Sequence, residues 1–375
     1  MEFNRHLTAT LNKWMFRKKI LILTGARQVG KTTLLHDLLE KSNKPTLYIN
    51  AEEPANRQLF ADLSVVKLRD MIGGNEILVI DEAQQIENIG LCLKLLADNF
   101  KEKQIIATGS SALEIADKIF EPLTGRQFLF HLYPFSLSEI YNNNQRKQLR
   151  DNLNWHLVHG MYPDAINNKK DAEMYIKSLA GSYLYKDVLA WKDIRKPELL
   201  DKLLQLLAHQ MGSEVSMQEL ATQLKVKSET VESYLDLLEK SFVVYRLRSH
   251  STNERKEVSK MKKIFFWDNG IRNAIIDNFK PLELRNDTGA LWENFIVTER
   301  IKMNHYNQKS TKSKFWRSMQ QQEVDYVETE NDAIRAYEMK WNTLQKARVT
   351  KAFTNMYPNA SAEIITPDNF AEFVY

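Results

Sequence analysis

Short apolar runs separated by stretches of helical spacing organise the first third of the chain. Ile20-Leu21-Ile22-Leu23 and Ile77-Leu78-Val79-Ile80 are apolar at every position, as a strand of a parallel sheet covered on both faces must be. Pro45–Asn50, Gln104–Ala107 and Phe128–Phe135 read as further strands. Leu34, Leu35, Leu38 and Leu39 lie on one face of a helix directly after the first run. From 151 to about 207 the spacing is helical, with Trp155, Leu157, Tyr175, Leu179, Tyr183 and Leu184 as expected core. Ser216 with Glu219 reads as a capping box opening a helix that buries Met217, Leu220, Ala221 and Leu224. After the turn Lys225-Val226-Lys227, Ser228 caps a second helix with the stripe Val231, Tyr234, Leu235, Leu238, and Phe242–Tyr245 reads as a strand. Further on, Lys263–Trp267 is a short strand and 289–295 begins a helix. The stretches 323–327 and 336–341 alternate like half-buried strands.

The chemistry concentrates where the first apolar run ends. Gly25-Ala26-Arg27-Gln28-Val29-Gly30-Lys31-Thr32-Thr33 matches the phosphate-binding loop G-x-x-x-x-G-K-[ST] in the strand–loop–helix setting it requires. The glycines let the backbone wrap phosphate oxygens, and the helix N-terminus offers unpaired N–H groups. Lys31 reaches the outer phosphates of a nucleoside triphosphate and Thr32 ligates Mg²⁺. The second apolar run ends in Asp81-Glu82 at the strand end where open α/β sheets bind ligands. Asp81 is the expected second Mg²⁺ ligand, and Glu82 the group that activates the attacking water. Ser110 or Ser111, after the strand at 104–109, is placed to touch the γ-phosphate or that water. Arg126 has two readings: a charge aimed at the transferring phosphoryl group, in cis or from a neighbouring subunit, or a structural ion pair.

Gly-Ala-Arg-Gln-Val-Gly-Lys-Thr-Thr, Ile-Asp-Glu-Ala-Gln, Thr-Gly-Ser-Ser, and Leu-Thr-Gly-Arg with Tyr-Pro-Phe-Ser-Leu-Ser-Glu occur in that order. They resemble a prokaryotic AAA+-type ATPase family that pairs this ATPase domain with a C-terminal domain of unknown function. The resemblance runs the length of the chain. It implies ATP rather than GTP, with Lys31, Thr32, Asp81 and Glu82 in the roles above, and it supplies no substrate. The expected fold is α/β: a P-loop NTPase parallel sheet with helices on both faces over 1–145, a helical and winged-helix segment over 146–275, and a small α/β restriction-endonuclease-like domain over 276–375.

The last of these carries a second constellation. Strand periodicity puts Glu338 and Lys340 on one face, and a hairpin would bring Asp325 to it. Asp–x₁₂–Glu–x–Lys resembles the PD-(D/E)XK nuclease signature, with Glu293 as a helix-borne extra carboxylate, although no proline precedes Asp325. Two carboxylates would hold Mg²⁺ and Lys340 would position water for phosphodiester attack. An active nuclease and an inactivated fold that serves as an interaction domain both fit this pattern.

Net charge is only +4, but its distribution is uneven. Residues 246–263 hold seven Lys or Arg against Glu254 and Glu257, and residues 300–317 hold six with no acid. These runs point to a polyanion such as DNA; solvated loops are the alternative. The outer positions of the second helix, Lys227, Glu229, Thr230, Glu232 and Ser233, are mixed in charge, which favours protein packing as much as DNA reading. A protein partner and a homo-oligomer are further expectations. Cys92 is the only cysteine, excluding a disulfide or cysteine-cluster metal site within the chain. His156 and His159 lack a third ligand and read as structural. No apolar run approaches the ~20 residues of a membrane span, and the start of the chain has no signal-peptide core, so the expected location is cytoplasmic.

Overall fold

The apolar runs become strands wherever both faces of a sheet can cover them. The computed structural model of the chain describes residues 3–109, 123–189, 197–250, 262–343 and 348–375. They fall into two compact units, one made by residues up to Tyr133 with Lys240–Phe242, the other by Pro134–Glu239 with Val243–Tyr375. No described helix is long and apolar enough to cross a membrane.

The N-terminal unit is a parallel sheet of β1 (Ile20–Thr24), β2 (Thr46–Asn50), β3 (Ile77–Asp81), β4 (Gln104–Gly109) and β5 (Gln127–His131), in the order β2-β3-β4-β1-β5. The three central strands are buried at every residue, whereas the edge strands β2 and β5 are half-exposed. Helices Lys31–Ser42, Val65–Ile72 and Ile89–Asn99 return the chain between strands. Leu68, Ile72, Leu93 and Leu96 pack with Ile20, Ile22, Leu78 and Ile80 of the sheet in one core. Because β4 lies between β1 and β3, the residues that follow β1 and the last residues of β3 and β4 share one edge of the sheet.

The C-terminal unit begins with helices Arg146–His159, Ala172–Leu189 and Pro197–His209. It continues into a mixed sheet of β6 (Glu214–Val215), β7 (Val244–Ser249), β8 (Lys262–Phe266), β9 (Lys312–Arg317), β10 (Glu323–Glu330), β11 (Ala333–Met339) and β12 (Ser361–Ile365). The strand order is β12-β11-β10-β9-β7-β8-β6. Helices Met217–Leu224 and Ser228–Lys240 follow β6, and β7 and β8 pair antiparallel, so two helices joined by a left-handed Lys225 lead into a hairpin. The sequence boundary at 275/276 does not interrupt the sheet, since β7 pairs with β9 in parallel register across it. Asp268 and Asn269 reinforce this continuity. The Asp268 carboxylate accepts from Met161 N and Ile271 N (2.6 and 3.0 Å), and Asn269 Nδ2 donates to Leu157 O and Leu291 O.

β10 and β11 form the expected hairpin. Asn331 and Asp332 both take positive φ at the turn (47° and 68°), the two-residue geometry whose twist matches that of the strands. β10 is buried across five successive residues rather than alternating. Trp316, Val324, Val327 and Phe353 form a core on one side, and Tyr326 lies buried beside Phe373. The expected half-burial therefore fails because both faces of this sheet are covered.

Candidate functional site

Leu132 N bonds Thr24 O, which draws the strand end after β5 against the loop that leaves β1. A Cβ at Gly25 would stand 2.2 Å from Leu132 O, so the first loop position has room only for glycine. Gln28 (φ 57°) and Gly30 (φ 94°) turn the loop through left-handed conformations, and Gly30 O then accepts Leu34 N in the first helical turn. Lys31 is buried and folds its Nζ back onto Gly25 O (2.9 Å) and Ala26 O (3.1 Å). Arg5 ties the loop from outside, donating to Val29 O (3.3 Å) and Tyr133 O (2.6 Å).

Asp81 is the meeting point. Thr32 Oγ1 donates to its Oδ2 (3.2 Å), Tyr48 OH from β2 donates to the same oxygen, and Thr108 Oγ1 from β4 donates to Oδ1. Thr108 Oγ1 also accepts Glu82 N (2.9 Å). Glu82 itself takes a left-handed φ of 51°, turning the chain off the strand, and its carboxylate accepts from Gln84 Nε2. Burial, then the hydrogen bond to Asp81, pushes the Tyr48 phenol well above its usual range, so it remains a donor. A hydroxyl and a carboxylate side by side are hard oxygen donors that suit Mg²⁺, and the loop before them suits phosphates. Tyr48 and Thr108 were not singled out from the sequence. Both sit inside readable strands, but strand periodicity does not tell which side chain reaches a neighbouring strand's carboxylate.

Arg126 is a correction. Its carbonyl accepts Ile20 N, at the start of β1, so it lies at the N-terminal end of the sheet, opposite the loop. Its Nε donates to Asp98 at 2.7 Å on the exposed surface. The structural ion pair, not the phosphoryl contact in cis, describes this residue. Ser110 and Ser111 lie outside the described residues.

In the C-terminal unit, Glu293, Asp325, Glu338 and Lys340 come together. β10 and β11 pair Tyr326 with Tyr337, which sets Asp325 opposite Glu338 one step further on. Asp325 Oδ2 accepts Met339 N at 2.8 Å, and Lys340 Nζ is 3.0 Å from Glu338 and 3.6 Å from Asp325. The structure adds Glu323 and Lys263, the latter read from the sequence only as part of a basic run. Lys263 Nζ lies 2.9 Å from Glu293 Oε1, 2.5 Å from Glu323 Oε1 and 4.0 Å from Asp325 Oδ1. Burial opposes its charge, but Glu293, Asp325 and Glu323 more than restore it and its pKa is raised. Burial, with Asp325 and Glu323 nearby, raises Glu293; burial and Asp325 likewise raise Glu338. Among the described residues no group of three or more His, Cys, Asp or Glu is arranged to hold a metal ion.

The basic runs also need correcting. Lys263 is only 1% exposed and belongs to this cluster, not to a surface. Arg246 pairs with Glu232 (3.0 Å), Asp236 and Glu239 on helix Ser228–Lys240, and Lys262 pairs with Glu232. Arg300 makes a buried fork to Glu328 (2.7 and 2.8 Å), and Lys302 bonds Glu299 and Phe135 O. Arg317 pairs with Glu214 and Glu323. A run of like charge in sequence is here divided between several carboxylate partners, because nearby residues on a strand, or on the helix that carries Arg300 and Lys302, point in different directions.

With this geometry in place, the class of the N-terminal unit can be stated: residues 17–141 match the family described as an AAA domain, and the unit has the fold of a P-loop ATPase domain. Residues 150–282 and 288–371 match two families described as domains of unknown function (DUF8612 and DUF4143). The chain is similar to an uncharacterized protein of Mycobacterium tuberculosis, 29% identical over 330 residues, 86% of this chain and 71% of that one. An uncharacterized protein of Methanocaldococcus jannaschii is 28% identical over 307 residues, 69% of this chain and 63% of that one. Among solved structures, a Walker-type ATPase of Pyrococcus abyssi superposes with a TM-score of 0.48 at 19% identity, over 73% of this chain and 96% of that one.

Proposed function

We propose that the protein is a Mg²⁺-dependent ATPase whose turnover acts on a partner of the C-terminal unit. The observation that carries the reading is the convergence of Thr32 and Thr108 on Asp81, with Glu82 tied by its backbone to the same threonine. The loop N–H groups and Lys31 would hold the triphosphate. To do so, Lys31 Nζ exchanges the Gly25 and Ala26 carbonyls for phosphate oxygens. Thr32 and Asp81 would hold Mg²⁺, which supplies charge neutralisation on the phosphates when bound. Glu82 would orient the attacking water and accept its proton.

Lys31→Ala should abolish ATP binding, while Glu82→Gln should bind ATP normally and lose roughly 10²–10⁴-fold in kcat. Steady-state hydrolysis beside equilibrium nucleotide binding reads both. A Glu82→Gln protein hydrolysing at the parent rate overturns the assignment.

A second reading is favoured by Lys263. Here the C-terminal unit has a restriction-endonuclease-like framework, with Glu293 on its helix and Asp325 and Glu338-x-Lys340 on its hairpin, but recognises a partner instead of cleaving nucleic acid. ATP would then lock or release that interaction. The polyanion partner draws support from the exposed Arg248, Lys309 and Lys312 and from Arg255, Lys256 and Lys260, which lie outside the described residues.

A further inference from the structure

Four carboxylates meet in the C-terminal unit: Glu293 on helix Thr288–Tyr306, Glu323 and Asp325 on β10, and Glu338 on β11. Asp325, Glu338 and Glu293 are buried or nearly so, and carboxylates this close and this dry repel one another unless a cation stands among them. A divalent metal would do this at oxygen distances of about 2.0–2.6 Å. The chain supplies a different cation. Lys263 is the second residue of the short strand β8, held by pairing with Leu247 on one side and Glu214 on the other. Its ammonium stands over the Phe315 ring, 5.6 Å from the centroid, and faces Glu293, Glu323 and Asp325. Lys340 neutralises the other side, bridging Glu338 and Asp325. Lys340 is about one-third exposed (32%) and has room to move; Lys263, its side chain 2% exposed, does not.

We propose that Lys263 is a built-in counter-ion that fills the position a divalent cation would take among Glu293, Glu323 and Asp325, so that this cluster is closed to metal and the domain is not a metal-dependent hydrolase. The inference rests on the second reading above, in which the C-terminal unit recognises rather than cleaves. It is independent of ATP hydrolysis. The ammonium donates up to three hydrogen bonds, and two of its carboxylate neighbours, Glu293 and Glu323, lie within that reach. Its corollary is that the charge on Lys263 and a divalent cation are interchangeable. Removing the first should create a site for the second.

The test uses nucleotide-free full-length protein and Mn²⁺, counted by electron paramagnetic resonance. Lys263→Met keeps the stem and deletes the charge. It should bind one Mn²⁺ per chain more than the parent, and this added ion should vanish in Lys263→Met/Glu293→Gln. The melting temperature of Lys263→Met should rise by roughly 5–10 °C at Mn²⁺ near a hundred times its dissociation constant, with little change in the parent. Lys263→Arg, which keeps the charge, should stay closed to Mn²⁺. If Lys263→Met folds neither with nor without Mn²⁺, Lys263→Gln, which deletes the charge but keeps a polar side chain and all the carboxylates, carries the same measurement. A folded variant that gains no Mn²⁺ overturns the inference while leaving the recognition reading intact. Mg²⁺-dependent cleavage of duplex DNA by the parent, lost in Asp325→Asn, overturns the recognition reading and the inference with it.

Discussion

His156 shows how a residue that reads as plain core in the sequence controls a solution property. It is fully buried, its Nε2 2.6 Å from Tyr141 OH, and burial followed by the nearby Lys169 charge lowers its pKa to about 3. The unfolded chain takes up a proton there near 6.5 and the folded chain does not. Stability from this residue is therefore complete above pH 6.5 and falls as the pH drops toward 3, by up to about 1.4 kcal/mol per pH unit. NMR should show the His156 ring still neutral at pH 5, and urea unfolding should show a shallower acid slope in His156→Gln. A His156 ring that titrates near 6.5 removes the explanation. Legibility differs sharply between residues at this scale. Gly25 to Thr33 could be read because a fixed spacing encodes backbone geometry. Lys263 could not, because its neighbours Glu293 and Glu323 are brought to it by other elements. In sequence it stands among surface-like lysines. Arg126 was misplaced for a related reason: proximity along the chain to the strand at 104–109 says nothing about which end of the sheet a residue occupies.

Among elements, the loop after β1 makes the strictest demand. Gly25→Ala would drive a methyl into the backbone carbonyl of Leu132, a residue whose N–H is bonded to Thr24 O, so the loop itself must shift. The expected outcome is a folded protein that has lost at least about tenfold in ATP affinity, since the loop N–H groups no longer converge on the phosphates. Isothermal titration with ATP, beside a thermal melt within a few degrees of the parent, checks it. Unchanged affinity would mean the close approach is not what shapes the loop. The strands of this unit were legible because their apolar runs are continuous. The hairpin β7–β8 was legible only in part: the strand expected to stop at Tyr245 runs on to Ser249 through Arg246 and Arg248. Charged residues there looked like a strand end. Arg246 instead lies over helix Ser228–Lys240, whose Glu232, Asp236 and Glu239 give it a place within the sheet. Those carboxylates also make the helix face that would read DNA acidic and already paired, which favours protein packing for this element.

For the whole molecule, composition gave two basic runs and the fold sorts them. Arg246, Lys262, Lys263, Arg300, Lys302 and Arg317 are engaged with carboxylates, so a net charge counted along the chain overstates what a polyanion would meet. Arg248 and Lys312 are exposed on the neighbouring strands β7 and β9, where Arg248 stands opposite Lys314, and Lys309 is exposed just before β9. The two runs thus meet across one strand pair, a juxtaposition that the sequence does not reveal because more than sixty residues separate Arg248 from Lys312. If three such cations contact phosphates, the slope of log affinity against log salt should be about −2.7, close to a forty-fold loss between about 50 and 200 mM. Fluorescence anisotropy of a labelled duplex measures it on the full chain. Arg248→Gln/Lys309→Gln/Lys312→Gln should flatten the slope, whereas Arg246→Gln and Lys262→Gln should leave it unchanged. Arg300→Gln should also leave the slope alone but cost about 3–5 kcal/mol of stability, because it strands Glu328 without its buried partner. A slope that follows Arg246 and Lys262 instead would mean that these ion pairs open to DNA. A duplex that fails to bind at about 50 mM salt leaves the exposed cations to a protein partner.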